Sequence, residues 1–86
     1  MRKDKGMEDN RKIVYDSITG IWSVARPYID NLPTTIETWN KLTEELEQKK
    51  KEINGLSSPE YKHENWLYNK MAADVMLYLG ERSKNA

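Results

Sequence analysis

From Ile13 to Ile29 the apolar residues recur every three or four positions. Val14, Ile18, Ile21, Trp22, Ala25 and Ile29 form the stripe, and Ile13, Val24 and Tyr28 widen it. Asp16, Thr19, Ser23 and Arg26 lie on the other side. This is the pattern of an amphipathic helix with a broad buried face. Its start is expected near Asp9 or Asn10, which can cap free backbone N–H groups, after a flexible polar tail over residues 1–8. Pro27 removes a backbone donor and crowds the preceding turn, which predicts a kink or break there. Gly20 is either a mild weakness or a place where another helix passes close.

After a turn at Asn31-Leu32-Pro33, Thr34 to Glu37 reads as a capping box, with the Thr34 hydroxyl on the backbone N–H of Glu37. The helix that follows has a narrow stripe of Ile36, Trp39, Leu42, Leu46 and Ile53. Acid-first pairs Glu37–Lys41, Glu45–Lys49 and Glu47–Lys51 flank it, each worth only about 0.2–0.5 kcal/mol. Asn54-Gly55 ends this helix, with the glycine at a left-handed position. Ser58 then caps a third helix, with Pro59 at its first position and Glu60 in its first turn. It is expected to end near Gly80, with the residues beyond it frayed.

The third helix carries two apolar sets. Leu67, Tyr68, Met71, Ala72, Val75, Met76, Tyr78 and Leu79 share a wide arc able to touch two neighbouring helices. Trp66, Ala73, Leu77 and Gly80 lie on the other side, beside Lys70 and Asp74. Either the third helix is central and covered on most sides, or this second stripe is exposed and marks an interface. Partner binding through Trp66, Lys70, Ala73, Leu77 and Gly80 is the expectation, because so small a core is marginal alone.

These elements predict an all-α fold: a small bundle of three main helices with short connections, the first helix kinked or broken at Pro27. A single helical domain over residues 9–82 is expected, with residues 83–86 frayed. The 86-residue chain has no cysteine, so disulfides cannot reinforce the core. Fourteen basic and 14 acidic side chains leave no net charge and no strong field for nucleic acid or anionic membrane. No apolar run approaches the length of a membrane span, which makes a cytoplasmic location the default.

Little here points to catalysis. His63 is the only histidine, in the first turn of the third helix, and lacks the neighbours that acid–base sites need. Glu44, Glu45 and Glu47 are interleaved with lysines and read as a solvated face. No phosphate-cradling glycine loop or zinc-ligand set is present, so no catalytic residue, metal or cofactor is expected. Lys49-Lys50-Lys51 before Gly55 and a new helix looks like a helix-turn-helix only at a glance. Lys51 stands where that motif needs a small residue, and Glu64 where it turns an apolar one inward. The lysines more simply complement a helix C-terminus. Phosphate contacts through Arg11, Lys12, Lys49, Lys50 and Lys51 are the alternative reading. Trp22, Trp39, Tyr68 and Tyr78 are assigned to the core. The expected function is a non-enzymatic, self-associating helical module that docks onto a larger protein. Chains of this style look like the accessory or inhibitor proteins of phages and mobile elements, a likeness without a motif.

Overall fold

A computed structural model describes the backbone of residues 2–85 and the side chains of residues 10–84. It contains three α-helices: α1 (Arg2–Asp30), α2 (Ile36–Glu52) and α3 (Lys62–Asn85), the last entered through a 3-10 turn at Pro59–Tyr61. The all-α, three-helix expectation holds. The bundle is elongated, 51 × 18 × 17 Å. α1 packs against both α2 and α3, so α1 rather than α3 is the element shared by the whole bundle. Gly55 lies between Ile13 of α1 and Tyr61 at the foot of α3, while Ser83 Oγ near the top of α3 donates to the Pro33 carbonyl at 2.7 Å. α1 and α3 therefore run in the same direction, with α2 antiparallel to both.

Several boundaries differ from those read in the sequence. α1 begins at Arg2, upstream of the Asp9–Asn10 cap, and passes through Pro27 without the expected break. Pro27 cannot donate to the Ser23 carbonyl, but Ser23 and Pro27 are both exposed, where water can take that bond. The helix closes one turn later, with Asn31 N–H donating to Pro27 O at 3.0 Å. The cap of α2 is Thr35, not Thr34. Its backbone is extended and its hydroxyl accepts from Thr38 N–H at 3.2 Å. Consequently Ile36 occupies the exposed first turn rather than the buried stripe. The three acid-first pairs on α2 do not form. Lys49 instead meets Glu52 at 3.2 Å, Lys50 donates to Asn69 on α3 at 2.9 Å, and Glu45 accepts from Tyr28 at 3.0 Å. Gly80 does not end α3, which continues to Asn85. The flexible tail over residues 1–8 and the fraying over 83–86 concern side chains that, apart from Ser83 and Lys84, lie outside the described residues.

The core joins Ile13, Ile21, Val24 and Tyr28 of α1 to Leu42 and Leu46 of α2 and to Tyr68 and Leu79 of α3. Ile53 and Leu56 close the lower end. α2 reaches α1 at Gly20, where a Cβ would stand 2.9 Å from Lys49 Cγ. Close helix passage is therefore what Gly20 permits. At the C-terminal end of α2, Gly55 has φ +86°, as the sequence indicated. An added Cβ would find ordinary contact distances there, so the strain lies in the backbone. Gly55→Ala is expected to cost about 1 kcal/mol, read as a lower urea midpoint with an unchanged slope.

Tyr68 is the main polar link between α2 and α3. Its buried hydroxyl donates to Leu46 O at 2.7 Å. Burial first, then the negative charges of Glu47 and Glu52, push its pKa from 10.0 up to about 12. Between those two values the unfolded chain binds fewer protons than the folded one, so rising pH favours unfolding. Stability should therefore fall across pH 10–12, less steeply in Tyr68→Phe than in the wild type. At neutral pH that variant should lose only about 1 kcal/mol, for one hydrogen bond. Denaturant titrations at stepped pH test both points.

Candidate functional site

α1 packs on both other helices, and on one side of the α1–α3 contact lies an open groove of ≈ 410 Å³. Ile18, Trp22 and Ala25 line its α1 wall, and Met71, Val75 and Tyr78 its α3 wall. Asp74 is the only charged side chain among the lining residues. The groove owes its character to the width of the apolar arc on α1. Ile13, Ile21, Val24 and Tyr28 face the core. Ile18 and Trp22 lie further round the same helix and remain exposed, Trp22 at 55 %. Trp22 and Tyr78 thus belong to the groove rim, a correction of their assignment to the core. Tyr68 is buried and Trp39 is half-buried against the core, in line with theirs. The groove itself was not foreseen. Its signal was an apolar arc on α1 wider than two packed helices can cover.

Below the groove, the apolar surface continues through Ile18 to a shallow depression lined by Arg11, Val14 and Tyr15. Tyr15 is among the most exposed large side chains of the structure.

The stripe singled out on α3 lies elsewhere on that helix. Trp66 and Leu77 are 64 % and 65 % exposed, and Lys70 and Ala73 are exposed with them. Gly80 turns toward α2, where an added Cβ would sit 3.9 Å from the Trp39 ring. Four of the five residues therefore share an open surface, and the fifth lies at the α2–α3 seam.

The basic residues do not gather. Lys12 pairs with Asp16 at 3.2 Å on α1, Lys49 pairs with Glu52, and Lys50 bonds Asn69. Lys51 and Arg11 are exposed on different helices. His63 is exposed at the start of α3. Between α1 and α2, Tyr28 donates to Glu45, and its pKa is raised by burial first and by that carboxylate second.

Among the described residues, no helix is long and apolar enough to cross a membrane. Comparison with family models, with curated proteins and with solved structures gives no match.

Proposed function

We propose that this protein is a non-enzymatic helical interaction module that self-associates and docks onto a larger protein, in the manner of accessory or inhibitor proteins of phages and mobile elements. One observation carries the reading. Tyr15, Ile18, Trp22, Trp66, Leu77 and Tyr78 stand exposed on a chain of only 86 residues, and four of them are clustered along the α1/α3 groove and its extension. Apolar surface concentrated in this way favours association with other protein surfaces. The groove and the Trp66–Leu77 stripe are separate faces, one for a second copy and one for the larger partner. The alternative, phosphate or nucleic-acid contact, finds its basic residues spread over two helices and interleaved with Asp16 and Glu52.

The test is affinity capture from cells with the intact chain as bait, alongside Trp22→Glu and Leu77→Glu. A defined set of proteins, its own copies included, should be retained by the wild type and lost with one or the other substitution. Retention indifferent to both, or recovery of nucleic acid that washes off as salt rises, would overturn the proposal.

A further inference from the structure

On the outward side of α3, Trp66, Lys70, Ala73 and Leu77 follow one another at spacings of four, three and four, and all four are exposed. Alternating steps of four and three keep side chains in line along a helix, the seam a second helix packs against. The spacing also reads the same from either end. We propose that this stripe pairs with the same stripe of a second copy of the chain, the two α3 helices running antiparallel about a two-fold axis between Met71 and Ala72. The inference rests on the self-association in the function proposed above, assigns it to α3, and leaves the groove for the larger partner.

The register follows from the spacing. Trp66 of each copy lies level with Leu77 of the other, and Lys70 with Ala73, twice over, which is the geometry of an isologous contact. The overlap runs from Lys62 to Glu81, about 30 Å of helix, all of it within the described residues. The two largest exposed apolar side chains of the stripe thus cover each other. Ala73 flanks the axis, where a small side chain lets the helices come close.

Charge selects a second copy as the occupant. Along one edge of the stripe, His63, Lys70, Asp74 and Glu81 follow at spacings of seven, four and seven, all exposed. This order too is symmetric, with the basic side chains in one half and the acidic ones in the other. The antiparallel copy therefore brings Lys70 within about 1.5 Å, along the axis, of the level of Asp74 in the other chain. His63 meets Glu81 in the same way, and Glu81 also contacts Lys84 of its own helix at 3.7 Å. Neither Lys70 nor Asp74 makes an ion pair with another described residue of the single chain. The two Lys70 side chains come near each other at the axis, each with an Asp74 on its outer side. Lys62 and Lys84 approach only at the ends of the seam, where both heads stay in water. A parallel pairing would set Lys70 across from Lys70 instead, and a wholly apolar helix would leave both charges at its edge without partners.

Sedimentation and light scattering of the full chain over a wide concentration range test the pairing. The wild type should be a dimer that dissociates on dilution. Leu77→Glu should be monomeric with unchanged helicity by circular dichroism, since Leu77 is exposed in the single chain. Trp22→Glu should leave the dimer intact. Lys70→Glu and Asp74→Lys should each raise the dimer Kd about tenfold or more, because the symmetry applies each change twice. An equal mixture of these two variants should recover most of the wild-type affinity, since each supplies the charge that the other faces. Lys12→Glu, which changes the net charge equally, should not rescue Asp74→Lys. A monomer at all concentrations would overturn the inference, and so would a dimer broken by Trp22→Glu but not by Leu77→Glu. A mixture no tighter than either variant alone would also do so. In the first case the interaction-module reading stands if capture of a foreign protein still depends on Trp22 or Leu77. In the second, self-association itself survives in the groove.

Discussion

Leu79→Glu is expected to unfold the domain, whereas Leu77→Glu, two residues earlier on the same helix, should leave it folded. Leu79 is fully buried and Leu77 is 65 % exposed. The carboxylate at position 79 would enter an apolar cluster that includes Tyr68, Leu42 and Val24, with no cation among its members. A buried charge without a partner belongs to the most destabilising class of substitution, at about 4 kcal/mol or more. Small domains hold only about 5–15 kcal/mol in total, so a largely unfolded chain at 25 °C is the expected state. At position 77 the carboxylate stays in water, and helicity by circular dichroism should match the wild type. If Leu79→Glu remained as helical and as cooperative as the wild type, the packing of α3 described above would be wrong.

The second large effect is expected at Leu42, which has no exposed surface. α2 contributes few apolar residues to the core, chiefly Leu42 and Leu46, because the rest of the helix is polar. Leu42→Ala would leave a cavity that neighbours on three helices cannot readily fill. The expected cost is about 2–5 kcal/mol, seen as a marked drop in urea midpoint. Trp39→Ala, at a half-buried position beside the same core, should cost less than its size suggests. A Leu42→Ala variant as stable as the wild type would mean that α2 is not clamped as the hydrogen bond from Tyr68 to Leu46 indicates.

The number and order of the helices were legible because they follow from local chemistry: stripes at helical spacing, Pro59 opening a turn and Gly55 closing one. The misreadings also have local causes. Thr34 and Thr35 are equally good caps by composition, and only the position of the first helical turn chooses between them. Pro27 is a helix breaker by its chemistry, yet on an exposed side the freed Ser23 carbonyl has water at hand. Gly80 has the composition of a helix stop, but its φ is not positive and α3 runs on through it to Asn85. The deeper miss concerns Trp22 and Tyr78. A helical wheel tells which residues share a side, not how far apart the neighbouring helix will stand. Both lie on arcs wide enough to read as buried, yet in the fold they stand exposed along the open groove between α1 and α3. The Trp66–Leu77 stripe was legible as a second face, because its distance from the main arc of α3 depends on spacing alone.

The placement of the three tryptophans has a practical consequence for spectroscopy. Indole emission moves to shorter wavelength when the ring leaves water. Trp22 and Trp66 stand exposed, and only Trp39 is half-buried against the core. The folded single chain should therefore emit much as an unfolded one does, and fluorescence will follow its denaturation poorly. Covering the groove should shift Trp22 to the blue, and covering the α3 stripe should shift Trp66. Single-tryptophan versions retaining one or the other would report, without any attached dye, which face of the bundle has been taken.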